Sequence, residues 1–286
     1  FMGLVYTWAN GKLLARMQNR VGPRWFQPVA DTVKLMAKED VVANGASGGW
    51  FMLLPVLGLA GVLTAGLYVP LLGLPAAYSF EGDLIVVVYL LGLLSFSLGL
   101  AGMMLKNSFA QIGSARAFTQ LFAYEVPFMM AMLGPAFVAG TWQISEINSY
   151  FGGQWVLFLQ PIGFAVAIIS LMAKLEMPPF DAPVAKTEIV AGAMTEYTGR
   201  GLALFKLAHG AELVIGLTLV ATLYLGGIGN PISFLLKTAG LLVVLVSIEA
   251  LVTRLRIDQS VQFWWRWGII LVLAQWAIII LVEGML

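Results

Sequence analysis

Residues 174–201 read KLEMPPFDAPVAKTEIVAGAMTEYTGRG and form a charged segment between two long apolar runs. Three prolines near its start, Pro178, Pro179 and Pro183, prevent the preceding helix from continuing through it. After residue 185 the apolar residues have the spacing of a short amphipathic helix, at Ile189, Val190, Ala193 and Met194. A segment of this kind is either a solvated connection between two helices or a surface on which another subunit docks.

The composition of the whole chain indicates a membrane protein. Hydrophobic residues make up 60% of it and charged residues only 11%, and its mean hydropathy is +0.89. A soluble domain has about a quarter of its residues charged. Apolar runs of about 20 residues, long enough to cross about 30 Å of hydrocarbon, recur along the sequence. We therefore predict an all-α, polytopic membrane protein, and the net charge of +1 gives no indication of nucleic-acid binding.

The apolar runs predict about eight transmembrane helices in a single membrane domain over residues 1–286. Residues 1–14 resemble the end of a first, truncated span, since the chain begins inside an apolar run. We expect the other spans at residues 51–72, 84–105, 125–141, 155–173, 202–225, 234–253 and 263–281. The two long polar loops are residues 15–49 and 174–201. Within the first, residues 28–39 predict a short helix lying in the membrane interface.

Lysine and arginine predict the orientation of the chain. They occur in the connections after the first, third, fifth and seventh spans, and none occurs after the second, fourth or sixth. Basic residues accumulate in cytoplasmic loops. We therefore expect a multi-pass protein of the cell membrane with both long polar loops on the cytoplasmic side.

The chain lacks the residues that most redox centres require. It contains no cysteine, and His209 is its only histidine. Iron–sulfur clusters need cysteine thiolates, and a bis-histidine haem needs two imidazoles. We therefore expect no cofactor and no metal to be bound by this chain.

Several ionisable residues lie within or at the edge of the predicted spans: Glu125, Lys206, His209, Glu212, Lys237 and Glu249. A charge at bilayer depth costs about 2.5–3.5 kcal/mol, so such residues usually face protein or water and often line ion paths. One interpretation is structural, with Lys206 paired to Glu212 or Glu249. The other is that the acids carry protons or sodium ions. Lys237, near the outer end of its span, is expected to extend towards the interface.

Two spaced motifs resemble the H-type membrane subunit of complex I, the subunit against which the quinone chamber is built. The first follows the first span and begins with QNRVGP at residues 18–23. The second lies in the charged segment and comprises PFD at 179–181, EIVAG at 188–192 and TEYTG at 195–199. Shorter matches are YEVP at 124–127 and RLRIDQ at 254–259. The resemblance runs nearly end to end and agrees with an eight-span protein.

Departures from the complex I pattern indicate a branch of this family. Val184 and Lys186 stand where complex I has glutamates, Met177 where it has an arginine, and His209 where it has a glutamate. Lys206 resembles the lysine of hydrogenase-type relatives. The sequence is therefore similar in character to the corresponding subunit of energy-converting nickel–iron hydrogenases, formate hydrogenlyases and archaeal sulfane reductase.

The resemblance implies a subunit that anchors a peripheral redox arm and couples its electron transfer to proton or sodium movement. Iron–sulfur clusters, and a nickel–iron centre in the hydrogenase branch, would lie in hydrophilic partner subunits on the cytoplasmic side, with antiporter-like subunits beside it in the bilayer. We expect coupling and proton relay at Asp181, Glu188, Glu125, Glu212, Glu249, His209 and Lys206. The loop would be structured by Glu196, Tyr197, Arg200, Pro179 and Phe180. The arm would dock at Arg20, Arg24, Asp31, Lys34 and Lys38.

Three other functions are alternatives for the same residues. The first is a quinone-chamber subunit of a NADH or ferredoxin:quinone oxidoreductase, which differs from our main hypothesis in its electron acceptor. The second is a stand-alone secondary transporter, which the absence of matching broken helices and of an internal repeat disfavours. The third is a membrane enzyme acting on lipid or quinone. A hydrolytic one is disfavoured because the sequence offers neither a metal-ligand cluster nor a nucleophile–base pair.

Overall fold

The computed structural model describes residues 1–41 and 48–283, and within these ranges it contains helices and no strand. This confirms the predicted all-α class. The α-helices are α1 Met2–Met17, α2 Gln27–Ala37, α3 Gly48–Ala65, α4 Asp83–Met103, α5 Ser108–Ala139, α6 Ile144–Phe151, α7 Pro161–Lys174, α8 Lys186–Ile189, α9 Gly199–Tyr224, α10 Pro231–Leu251, α11 Ile257–Phe263 and α12 Ile269–Glu283. A π-helical turn, Trp264–Gly268, joins α11 and α12 into one continuous helix.

Five helices are long and apolar enough to cross a bilayer: α4, α5, α9, α10 and the continuous helix Ile257–Leu281. Two further apolar helices, α3 and α7, are shorter, and with α1 they complete the expected set of eight. A polytopic membrane protein is therefore confirmed. Most of α9 is buried, between α1, α3 and α10, which makes it the central helix of the bundle.

Helix α5 is much longer than the sequence suggested. We expected a span at 125–141, but the helix begins at Ser108, so residues 108–124 are not a polar connection. The side chain of Asn107 accepts a hydrogen bond from the Phe109 N–H and caps the first turn. At the other end of the helix, Gly140 has a φ of +68° and terminates it. Conversely, α7 begins at Pro161 and not at residue 155, because Val156–Phe158 form a 3₁₀ turn.

Two prolines lie inside α5, at Pro127 and Pro135. A proline has no N–H, so Pro135 leaves the carbonyl of Ala131 without its helical donor. The hydroxyl of Tyr224 on α9 donates to that carbonyl at 2.5 Å. An unpaired carbonyl in the bilayer costs several kcal/mol, so this bond from a neighbouring helix allows α5 to continue.

The charged segment between α7 and α9 folds differently from our expectation of a short amphipathic helix after residue 185. Only one α-helical turn forms, α8, which ends where Val190 adopts a φ of +62°, and a separate 3₁₀ turn follows at Gly192–Met194. Gly192 follows with a φ of +54°, and a Cβ there would overlap the carbonyl oxygen of Pro183. The segment therefore folds back on itself, with Ile189 and Ala193 buried and Val190 exposed.

The first polar loop contains the expected interfacial helix, which runs as α2 over Gln27–Ala37 rather than over residues 28–39. Helix α1 extends to Met17, three residues into the predicted loop 15–49. Residues 42–47 of that loop lie outside the described ranges. Asp40, which follows α2 in this loop, contacts the start of α9, where its side chain accepts a hydrogen bond from the N–H of Arg200 at 2.7 Å. The two polar loops thus meet on one side of the membrane domain.

Candidate functional site

A buried charged cluster lies where α5, α7 and α9 meet the loop that follows α7. Its members are Glu125, Lys174, Glu176, His209 and Glu212. Glu212 is completely buried, and neither of its carboxylate oxygens has a hydrogen-bond partner among the described residues. Its charged neighbours are the other four members. A buried carboxylate without a partner is costly, so Glu212 is the least compensated acid in this part of the molecule.

Lys174, the last residue of α7, is also completely buried. Its Nζ lies 3.1 Å from Oε2 and 3.4 Å from Oε1 of Glu125. The same atom lies 5.5 Å from the ring centroid of Tyr124 and 5.0 Å from that of Phe128. A carboxylate and two aromatic faces thus replace the water that the ammonium loses.

His209 and Glu176 form the second acid–base pair of the cluster. His209 Nε2 lies 3.8 Å from Glu176 Oε2, which is an ion-pair distance but too long for a hydrogen bond. The other ring nitrogen, Nδ1, lies 3.0 Å from the carbonyl oxygen of Phe205. Glu176 has a φ of +51°, a conformation that non-glycine residues rarely adopt. This backbone conformation occurs directly after α7, where the chain turns into the loop.

The cluster borders a cavity of about 500 Å³ between α1, α2, α9 and the loop. Most of its lining is apolar, including Trp8 and Met177, and His209 and Lys206 contribute its basic groups. The structural interpretation, in which Lys206 pairs with Glu212 or Glu249, does not match the ion pairs of the described residues. Lys206 is exposed towards the cavity, and no ion pair in the described residues includes it.

A second group, the loop cluster, lies at the surface of the charged segment and comprises Arg116, Asp181, Glu188, Glu249 and Arg254. Arg116 donates to Glu188 at 2.6 Å, and Arg254 Nη1 lies 4.0 Å from the same carboxylate. Arg254 Nε lies 2.8 Å from Asp181 Oδ1, and its Nη2 donates to the Asp181 carbonyl at 3.1 Å. Glu249 is a charged neighbour of Asp181. These contacts attach the loop to α5 and to the connection before α11.

The structure therefore divides the predicted relay residues into three places. Glu125, His209 and Glu212 lie in the buried cluster. Asp181, Glu188 and Glu249 lie in the loop cluster, and Lys206 lies in the cavity wall. Sequence reasoning missed Lys174 and Glu176, which we had treated as the edge of the loop. The available signal was their position. Lys174 directly follows the run from Ile162 to Ala173, in which Ser170 is the only polar side chain, and Glu176 lies two residues after Lys174.

The residues expected to structure the loop make specific contacts. The Asn107 side-chain amide donates to Glu196, and the ring of Tyr197 stacks on Phe51 with centroids 4.2 Å apart. Burial raises the pKa of the Tyr197 hydroxyl. Arg200 Nε lies 3.7 Å from Asp40 Oδ2, an ion-pair distance. The rings of Phe180 and Trp264 have centroids 5.2 Å apart, and the Leu255 N–H donates to the Pro179 carbonyl at 3.0 Å.

The residues expected to dock a partner arm, Arg20, Arg24, Asp31, Lys34 and Lys38, are all exposed. They surround α2, whose outer face also exposes Val33 and Met36. In the described residues no group of three or more histidines or acids could hold a metal ion.

The ion pair at Glu188 predicts an acid-sensitive loop. The Arg116 guanidinium beside Glu188 lowers the pKa of this carboxyl below its ordinary value of 4.5. A lowered folded-state pKa stabilises the docked loop above the ordinary value, and that stabilisation is lost as the pH falls through the lowered pKa. Protection against hydrogen exchange at residues 182–194, taken relative to the intrinsic exchange rate at each pH, should therefore fall below about pH 4.5 in the wild type. The Glu188→Gln variant should exchange rapidly at neutral pH too.

The control for this experiment is Asp31→Asn, which removes an exposed acid on α2. It should leave the exchange profile of residues 182–194 unchanged. If Glu188→Gln shows the wild-type profile at both neutral and acid pH, Glu188 does not hold the loop.

Comparisons with known proteins show the family to which the chain belongs. The chain matches the NADH dehydrogenase family over residues 1–280. It is 33% identical to the H-type subunit of the NADH-quinone oxidoreductase of Carboxydothermus hydrogenoformans, over 87% of this chain and 74% of that protein. It is 34% identical to an H-type subunit of the NADH-quinone oxidoreductase of Rhodopseudomonas palustris, over 91% of this chain and 85% of that protein.

Among solved structures, the chain resembles one from the membrane-bound sulfane sulfur reductase, an archaeal respiratory membrane complex. The TM-score is 0.88 at 25% identity, and the match covers 97% of this chain and 94% of that one. The chain belongs to the NADH dehydrogenase family, as an H-type membrane subunit of complex I-related assemblies.

Proposed function

We propose that this subunit couples electron transfer in a peripheral iron–sulfur arm to proton or sodium movement in the membrane. The observation that carries this proposal is the position of Glu212. It lies completely buried and unpaired between the His209–Glu176 pair and the Lys174–Glu125 pair. A carboxylate held among four charged groups responds to any change in their protonation.

The physical reason for the response is the weak screening inside the bundle. Two unit charges 4 Å apart interact by about 4 kcal/mol at an effective dielectric constant of 20, compared with about 1 kcal/mol in water. A proton gained by His209 at the cavity would therefore change the affinity of Glu212 for its own proton. Glu212 in turn affects Glu125 through Lys174. This sequence of groups leads from the cavity towards the α4–α5 side of the bundle, where Tyr124 and Ser95 share a hydrogen bond of 3.2 Å.

We infer that the loop cluster connects this path to a docked partner. Asp181 and Glu188 lie on the same loop as Glu176, and both are held by Arg254. A partner that displaced this arginine, or supplied a charge beside it, would move the loop and with it Glu176. The exposed basic residues around α2 support a docked arm on the same face. The distribution of lysine and arginine supports assigning that face to the cytoplasm, in the cell membrane.

We propose further that the complex is of the membrane-bound hydrogenase or sulfane reductase type, with antiporter-like subunits as membrane partners. Met177 in the cavity wall, where complex I has an arginine, supports this branch, as does the similarity to the sulfane reductase chain. The cofactors would then be iron–sulfur clusters, with nickel and iron in a hydrogenase, all in partner subunits.

A second candidate is quinone reduction at this subunit, favoured by the cavity of about 500 Å³ beside His209. The curated relatives named above also carry quinone in their names. Bound quinone in the purified complex, or inhibition by quinone-site compounds, would support this candidate over the first.

The test is purification of the tagged chain from its native membrane, followed by metal and flavin analysis and reconstitution into liposomes. We expect iron-containing hydrophilic subunits to co-purify and ion uptake to require the electron donor. Nickel would identify a hydrogenase, and iron with flavin but no nickel would identify a complex I. A chain that purifies alone and transports ions without an electron donor is a secondary transporter, and the proposal is then wrong.

A further inference from the structure

The last membrane-spanning helix presents a cation between two tryptophans on the outer surface of the bundle. Trp265, Arg266 and Trp267 are consecutive and all exposed, with 62% of Trp265 and 53% of Trp267 accessible. The guanidinium carbon of Arg266 lies 5.8 Å from the ring centroid of Trp267. Among residues 1–41 and 48–283 no ion pair includes Arg266, so the described chain provides no anion for it.

The π-helical turn explains how three consecutive residues face outwards. In an α-helix they would spread over about 200°, and the wider π turn reduces this spread. The turn is built around Trp264, which is buried and packs on Phe180 and Phe263. Gly268 accommodates that indole, because a Cβ at Gly268 would lie 2.7 Å from Trp264 Cε3. The inward packing of Trp264 therefore orients the three following side chains outwards.

The position of Arg266 along the helix corresponds to a membrane boundary. From Arg266 to Leu281 the helix rises about 22 Å, several ångströms less than the hydrocarbon thickness of about 30 Å, and the long arginine side chain bridges this difference by extending towards the interface. The only polar residue besides tryptophan in that stretch is Gln275, which is buried. On the other side of Arg266, the helix exposes Gln262 and Asp258. Arg266 is thus the last charge before a purely apolar exposed surface, on the face of the membrane that carries the charged loop.

We propose that Trp265, Arg266 and Trp267 bind the headgroup of an anionic phospholipid. An arginine fork matches the geometry of a phosphate and binds it bidentately. Tryptophans are concentrated at this depth, where the ring contacts acyl chains and the N–H reaches the polar region. Lipid phosphates lie at this level of the bilayer, and the described chain leaves the cation unpaired. These features fit a lipid better than the carboxylate of a neighbouring protein, which would have to be buried at the membrane boundary.

The test is native mass spectrometry of the purified full chain, titrated with phosphatidylglycerol or with phosphatidylcholine. The wild type should retain phosphatidylglycerol preferentially. Arg266→Gln should weaken phosphatidylglycerol binding about fivefold, the effect of one basic residue near an anionic surface. Its binding of phosphatidylcholine should not change. Lys106→Gln, which removes an exposed charge beyond the end of α4, is the matched control and should bind both lipids like the wild type.

A photo-crosslinking residue at position 265 separates a lipid from a protein partner in the native membrane. Lipid adducts are expected. Adducts to another protein would overturn the proposal and identify a protein contact. Equal phosphatidylglycerol binding by Arg266→Gln and the wild type would overturn it as well.

Discussion

Glu212→Gln is expected to uncouple the complex while leaving it assembled. The glutamine amide has nearly the same shape as the carboxylate but carries no titratable proton. The side chain at position 212 can therefore no longer gain or lose a proton when the charges of its four neighbours change. Loss of a positioned proton-transfer group slows a step on the order of 100-fold or more. Ion transport per electron in reconstituted liposomes should therefore fall to background, with electron transfer retained. Folding should not suffer, because the substitution removes an uncompensated buried charge.

The control for this variant is Glu81→Gln, an identical chemical change at an exposed residue before α4. It should transport ions as the wild type does. Wild-type ion transport per electron in an assembled Glu212→Gln complex would show that Glu212 is not on the coupling path.

Lys174→Met should have the largest effect on stability. Lys174 is fully buried and Glu125 is 20% exposed, so removing the ammonium leaves a largely buried carboxylate without its partner. Breaking a buried pair costs about 3–5 kcal/mol, and the partial exposure of Glu125 places the expected loss at about 3 kcal/mol. The measurement is the free energy of unfolding of the purified chain in mixed micelles.

The double variant Lys174→Met, Glu125→Gln separates the charge effect from loss of packing. With both charges removed, no carboxylate is left unpaired, and most of the lost stability should return. Coupling should be absent in the double variant, because the glutamine at position 125 carries no titratable proton. If the double variant is as unstable as Lys174→Met alone, the destabilisation comes from packing and not from the ion pair.

The two clusters show where sequence reasoning succeeded and where it stopped. Glu212 was recognised because a charge inside an apolar run is conspicuous, and Glu125 because it also lies in the YEVP match to the family. Lys174 and Glu176 were not, because a charge at the end of a span is either solvated or buried, depending on what lies beside it. Glu125, which pairs with Lys174, is 49 residues away in the sequence. Periodicity describes one helix at a time and does not contain that contact.

The composition and the apolar runs by themselves determined a helical, polytopic membrane protein, because hydrocarbon requires every backbone group to bond within its own helix. The two long motifs determined the family. Tertiary structure alone decided which charges share a site. It placed Glu188 and Asp181 at the surface with arginines from distant segments, and it enclosed Lys174 and Glu212 between α5, α7 and α9. It also determined the conformation of the charged segment, residues 174–201. Local spacing favoured an amphipathic helix there, but the chain folds back so that Gly192 lies close to the carbonyl oxygen of Pro183.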